Sequence, residues 1–409
     1  MLLSSPSVLG PFRHPTFTTM WAATVASQIG GWMYSAASAW MMTDLDGRPF
    51  MVALVQFASV VPMFLFAIPV GAMADIVEKR LFLIIGEALI TLTASLFAVV
   101  VSLGLATPTN VVVLTFLCST AVAFTAPAWQ AVVPQLVPRS DLRAAIAANS
   151  IGMNVSRAVG PALGGMMITG VGLSLPFWVN AISNAGVLEA LRRWKTSHAS
   201  VIGRRPETFR TAMLTGVVHA FQNAQLRATL VRAVAFFFFA SAYWSLLPTL
   251  TRQQIGGGAA LYGWLLATIG AAGIGGAFML KTLNELLGPH RLVMASSGAT
   301  SVALGLFAFA NHWAVALVAG VFAGAAWIAA VASLNVSAQL ALPDRVRARG
   351  LAVFISLFFG ALSIGSLVWG AVADRWGLPN AHLCAAVGLL CGVPLTQPWN
   401  LDIESNPDS

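Results

Sequence analysis

Charge is scarce in this sequence: Asp, Glu, Lys and Arg together make up 9% of its 409 residues, against 58% hydrophobic ones. That leaves too little polar surface to coat a water-soluble globule of this size, so an all-α integral membrane protein is expected. Cysteine is nearly absent too. Cys118, Cys384 and Cys391 fall in apolar stretches without a CxxC or Cys/His spacing, which excludes a disulfide framework or a zinc site. The six histidines are scattered over helix ends and loops and offer no acid/base pair, which argues against a membrane-embedded enzyme. No phosphate-cradling loop supports direct ATP coupling, and no cofactor is expected. The short segment holding Pro6, Pro11 and Pro15 precedes an apolar run without a small-residue cleavage site, so the first helix reads as its own insertion signal.

What the chain has instead is long apolar runs. A span needs about 20 apolar residues to cross a hydrocarbon core about 30 Å thick. Cutting at charged and turn-forming positions gives twelve: 17–40, 51–73, 81–103, 109–129, 144–169, 174–191, 229–250, 261–283, 291–310, 313–335, 350–373 and 380–397. Runs of this length satisfy their backbone amides within a helix, and a β-barrel of short alternating strands is a poor competitor. The domains expected are a first six-helix bundle (1–191), a linker (192–228), a second bundle (229–397) and a polar tail (398–409). Within the linker, Phe209, Met213, Val217 and Phe221 recur every four residues, the pattern of an amphipathic helix lying on a membrane surface.

A net charge of +8 invites a nucleic-acid partner, but the placement of the cations decides otherwise. Odd-numbered loops carry only Arg48, Arg252 and Arg375, whereas even-numbered loops and the termini carry eighteen basic residues. By the positive-inside rule both termini are cytoplasmic and the chain is a multi-pass protein of the plasma (inner) membrane. Only Arg157 sits well inside a span. The stretch around it repeats: shifted by 205 residues, Pro138 falls on Pro343, Gly160 on Gly365 and Gly165 on Gly370. Two related halves follow from that offset.

Helix 2 ends in Gly71, Asp75, Lys79 and Arg80, a loop so short that it must turn at the membrane surface. Here the sequence resembles the major facilitator superfamily of secondary transporters, whose loop between helices 2 and 3 carries a Gly, an Asp four residues on, then a basic pair. The resemblance implies the superfamily fold, two pseudo-symmetric six-helix bundles, and a gate that ties the cytoplasmic ends of both halves together. At an offset of 211, Arg80 falls on Arg291 but Gly71 and Asp75 fall on Thr282 and Leu286, so the second copy of the gate is degenerate.

The run from Phe124 through Pro127, Trp129, Pro134 and Pro138 narrows the resemblance to the branch that includes macrolide-efflux and enterobactin-exporter-like proteins. Members of that branch usually carry a basic residue where Trp129 stands. Gly160-Pro161-x-x-Gly164-Gly165 resembles the antiporter motif of exporters, although upstream glycines of the full pattern are replaced by Ala147 and Ser156. Physically, Pro161 removes a helical hydrogen bond, while Gly160 and Gly164 let a partner helix approach closely.

The remaining candidates are polar residues inside spans. Gln28, Trp32 and Ser35 lie on one stripe of helix 1, and with Gln56 of helix 2 they either bridge packed helices or line a cavity. Glu87 is the carboxylate that lies clearly inside a span. Ionised and unpaired it costs several kcal/mol, so it is neutral, paired or near water; proton carriage is one consequence, reaching the interface or a loop cation the other. Arg157 must find water, a carboxylate, carbonyls or an anionic substrate, and shares its helix with Asn149 and Asn154. Tyr243 and Trp244 are aromatic candidates for cavity walls, packing being the alternative.

Together with these residues, the resemblance implies proton-coupled efflux of a small amphipathic molecule, drug-like or siderophore-like, by alternating access. An uptake carrier for a polar nutrient is the alternative and would fit better with more hydrogen-bonding residues in the spans. Expected partners are the substrate, protons and the bilayer, with no nucleic acid, and the expected state is a monomer.

Overall fold

The computed structural model describes residues 9–74, 78–194, 222–343, 347–399 and 401, apart from the side chains of 71–74, 130, 131 and 348. Twelve long helices run through them. These are α1 (Pro15–Leu45), α2 (Pro49–Ala74), α3 (Lys79–Ser102), α4 (Pro108–Leu136), α5 (Leu142–Gly170) and α6 (Leu175–Arg193) in the first half. The second half has α7 (Ala224–Thr249), α8 (259–287), α9 (289–308), α10 (Trp313–Leu340), α11 (Arg347–Trp376) and α12 (Leu378–Leu395). The linker pattern at Phe209, Met213, Val217 and Phe221, and the tail after 401, lie outside the described residues.

Local chemistry sets the helix ends. Proline stands in the first turn of α1, α4, α6 and α12, where its missing N–H is no loss. Thr107 and Asn110 exchange a capping box at the start of α4. α8 is separated from α9 by Gly288, whose φ of 71° is left-handed, followed by Pro289.

Eight stretches are long and apolar enough to cross a membrane by length and composition. One of them, residues 259–308, contains both α8 and α9; α1, α5 and α6 fall short of the criterion. α1 and α5 fall short because Gly, Ala, Ser and other small or polar residues, many of them packed against other helices, dilute their apolar content. α3 shows the contrast: Leu81, Ile85, Leu89, Leu92 and Leu96 form an exposed stripe at helical spacing, and Leu83, Gly86, Ile90, Ala94 and Phe97 are buried.

The helices form two six-helix bundles. In the first, α1 packs on α5 and α6, α2 on α4, and α3 on α4 and α6; in the second, α7 packs on α11 and α12, and α10 on the α8–α9 pair. The bundles meet along two seams, α2 with α11 and α5 with α8. The 205-residue repeat has a direct spatial meaning. A Cβ on Gly160 would stand 2.9 Å from the Ile29 carbonyl oxygen of α1, and one on Gly365 would stand 2.5 Å from the Phe238 carbonyl oxygen of α7. Gly165 abuts the backbone of Ala259 in α8, and Gly370 abuts Phe50 and Ala53 in α2. Each matched glycine therefore does the same work in its half: the first faces the bundle's own first helix, the second faces the other bundle.

One cation was misplaced by sequence reasoning. Arg232, tallied with the loop cations although it falls just inside the expected span 229–250, lies in the third turn of α7 and is 3% exposed. Its Nε donates to the Trp399 carbonyl at 2.7 Å and its Nη2 to the Thr396 carbonyl at 3.0 Å, satisfying acceptors beyond the end of α12. These partners lie 164 and 167 residues along the chain, so only the fold reveals them.

Candidate functional site

α5 is a four-sided helix. One side, Gly152, Ser156, Gly160 and Gly164, spaced by four, lies against α1; a Cβ on Gly164 would stand 3.2 Å from Met33 Cα. A second side lies against α8 across the bundle boundary: Gly263 of α8 approaches the Pro161 carbonyl oxygen to 2.5 Å and Gly270 approaches Ala158 Cα to 2.9 Å, both measured from an added Cβ. The Gly-Pro-x-x-Gly-Gly segment is thus a three-helix junction, with Gly160 and Gly164 turned to α1 and Gly165 to α8.

The two remaining sides are exposed or half-buried and differ in chemistry. Ile151, Val155, Val159 and Met166 form an apolar side suited to lipid. Ser150, Met153, Asn154 and Arg157, spaced by three, four and seven, form a polar side that faces away from it, with Asn149 at its edge. Arg157 stands at the middle of this 29-residue helix, about 22 Å along it from Leu142 at 1.5 Å per residue. Its guanidinium carbon lies 5.5 Å from the centroid of the Trp32 ring of α1. Its Nε is buried without a hydrogen-bond partner, and it makes no ion pair with any described residue.

α1 supplies the facing surface. Ser35 is exposed in the middle of a helix whose following residues 36–43 are all buried, and nothing lies within 4 Å of a Cβ placed on Gly31. Gln28 and Trp32 are half-buried on the same stripe, and Gln28 Oε1 has no partner. Gln28 and Gln56 are not hydrogen-bonded to each other; Gln56 is half-buried on α2. The stripe borders open space at Gly31 and lies beside Arg157 of α5.

Tyr243 and Trp244 differ in burial. Tyr243 is completely buried and stacks on Phe307 at 6.2 Å, in the core of the second bundle and away from any cavity surface. Trp244 is half-buried, packs edge-on against Trp327 at 5.4 Å, and leaves its Nε1 without a partner. The two rings touch each other at 5.5 Å and share Trp327, and the periodicity of α7 could not separate their different burial.

Glu87 lies elsewhere, inside the first bundle between α3 and α4, 4% exposed. Trp129 Nε1 donates to its Oε1 at 2.8 Å, and Oε2 has no partner. The two oddities of the first half, the intramembrane carboxylate and the tryptophan at a usually basic position, are one contact. Sequence spacing of 42 residues gave no sign of it.

Of the gate residues, Asp75 lies outside the described residues, and Gly71 is described only as part of the last turn of α2. Lys79 opens α3. Arg80 donates from Nε to the Leu191 carbonyl at 3.1 Å and from Nη2 to the Arg192 carbonyl at 2.8 Å, tying α3 to the end of α6 within its own bundle.

At the face formed by the odd-numbered loops the bundles are latched together. Arg252, in the π-helical turn Leu250–Gln254 after α7, pairs with Asp44 of α1 at 2.6 Å and lies over the Trp40 ring at 5.6 Å. Trp40 stacks on Tyr262 of α8 at 5.9 Å, and Gln253 Nε2 donates to the Gly47 carbonyl at 2.6 Å. The Phe50 amide donates to the Asp374 carboxylate at 3.4 Å. Partly exposed pairs of this kind contribute about 1 kcal/mol, or about fivefold in an equilibrium. A cysteine at Ser35, in a background without the three natural cysteines, is therefore expected to react about fivefold faster with an impermeant thiol reagent from the odd-loop side in Asp44→Ala or Arg252→Ala. The double variant should react no faster than either single one, since both remove one coupling. Unchanged labelling would show that the pair holds nothing shut.

A family model described as transmembrane secretion effector matches residues 6–407. The chain is 24% identical over 410 residues to the multidrug efflux pump Tap of Mycolicibacterium fortuitum, covering 97% of this chain and 99% of that protein. It is 22% identical over 369 residues to the staphyloferrin A transporter of Staphylococcus aureus, covering 89% and 91%. Among solved structures, a variant of the nucleoside transporter NupG superposes with a TM-score of 0.78 at 12% identity, covering 94% of this chain and 99% of that one.

Proposed function

The chain belongs to the transmembrane secretion effector family of the major facilitator superfamily, and on that premise we propose that it exports a small amphipathic molecule by proton-coupled alternating access. The observation that carries this reading is the polar stripe of α5 and α1, where Arg157, beside the α5–α8 seam, lies over Trp32 with its Nε and Gln28 Oε1 unpartnered, in two bundles that are latched at one face. Substrate binds there near the middle of the helices, with Gln56 and Trp244 on neighbouring walls; release follows when the odd-loop latch opens. The relatives named as an efflux pump and a siderophore transporter support small-molecule cargo and outward movement. The basic bias of the even-numbered loops supports cytoplasmic termini in the inner membrane. The protein works as a monomer of two half-chains, 1–191 and 229–397. Gly71, Asp75, Lys79 and Arg80 form the cytoplasmic gate, and Glu87 carries the coupling proton.

Inside-out vesicles containing the protein, given an acid interior, should take up substrates from a panel of amphipathic dyes and drugs, and collapse of the gradient should release them. Absence of gradient-dependent flux across the panel would remove the antiporter reading.

A further inference from the structure

Among the described residues Arg157 has no counter-ion. A guanidinium half-buried at the centre of a membrane helix costs several kcal/mol unless something answers its charge, and here the one neighbour that does so is the face of Trp32. Glu87, the intramembrane carboxylate of the same bundle, is committed to Trp129 between α3 and α4. The arginine is not needed to hold the seam, because α5 meets α8 through backbone atoms at Ala158 and Pro161 and small residues. Nor is it required by the fold of a half: the residue that corresponds to it at the 205-residue offset is Leu362, buried in the second bundle. The cation is thus an addition to one half, placed where that half borders open space.

We propose that Arg157 and Trp32 form the recognition site for the anionic head of the transported molecule, and that the substrate class is an amphipathic carboxylate. The inference rests on the transport reading above and narrows its cargo. The planar fork of a guanidinium matches the two oxygens of a carboxylate, and its unpartnered Nε supplies one of the two parallel donors that such a pairing uses. Trp32 gives the adjoining part of the ligand an aromatic surface, and Gly31 and Ser35 leave the space into which its body extends. A cationic amphiphile meets repulsion at the same point, so the site selects by sign of charge.

Three probes with one ring system isolate the head group: 1-naphthaleneacetate, its primary amide, and 2-(1-naphthyl)ethylammonium. Binding to the full-length protein in lipid nanodiscs and flux in vesicles should favour the acetate over the ammonium by at least about tenfold at pH 7.5. Arg157→Gln should abolish that preference while leaving amide binding within about twofold, and Arg157→Lys, which keeps the charge without the fork, should retain part of it and certifies the fold. Equal handling of the three probes, or a preference that survives Arg157→Gln, overturns the inference and leaves the transport reading intact. Failure of wild-type protein to bind or move any of the three overturns this inference and counts against the transport reading as well.

Discussion

Gly165→Val is expected to reduce transport by at least tenfold without unfolding either bundle. A Cβ at Gly165 would lie 3.1 Å from the Ala259 carbonyl carbon and closer still to its oxygen, and both are backbone atoms that no rotamer change can move aside. α5 and α8 must then separate at the end of the seam nearest the odd-loop latch. Overpacking of this kind costs about 1–3 kcal/mol, and here nearly all of it falls on the closed state, because the contact crosses the bundle boundary. A 1.4 kcal/mol bias shifts the equilibrium tenfold. The seam of α2 and α11 provides the matched test: Gly370→Val, which abuts Ala53 and Phe50, should give the same loss. Gly170→Val, with nothing within 4 Å, should transport normally. The measurements are substrate flux and thiol labelling of a cysteine at Ser35 from the odd-loop side. Wild-type flux in Gly165→Val would show that the seam is not a closing surface.

Glu87→Gln is expected to abolish gradient-driven accumulation, a fall of at least tenfold, while substrate binding and downhill exchange persist. The substitution keeps a carbonyl oxygen to accept from Trp129, so the α3–α4 contact survives and lost coupling cannot be charged to lost folding. An ionised carboxylate at 4% exposure with one hydrogen bond and one bare oxygen is costly, and a proton relieves that cost; this is what suits the group to alternate between two protonation states during a cycle. Since Glu87 sits inside the first bundle and not on the seam, its effect on the seam passes through α4 and the packing of that bundle. Normal accumulation in Glu87→Gln under a pH gradient would exclude it as the proton carrier.

The sequence by itself determined the fold. Hydrocarbon demands long apolar runs with internally satisfied backbones, and that demand is written residue by residue, so twelve spans and a two-fold repeat were legible from composition and from the offset of Gly160 and Gly165 onto Gly365 and Gly370. The presence of polar residues within spans was equally plain, because each is an exception to a strict rule. What they touch was not. Glu87 and Trp129 are 42 residues apart, Arg232 and Trp399 are 167 apart, and Asp44 meets Arg252 across the bundle boundary. Such pairings depend on how helices rotate and dock, which apolar surfaces set collectively and no local spacing encodes. The same holds for Tyr243 and Trp244, neighbours in sequence that part into core and half-buried surface. For α5, the sequence put Arg157 on one helix with Asn149 and Asn154 and left their common face open; only the tertiary structure showed that Gly160 and Gly164 commit one side to α1 and Gly165 another to α8, leaving the Arg157 Nε without a partner beside Trp32.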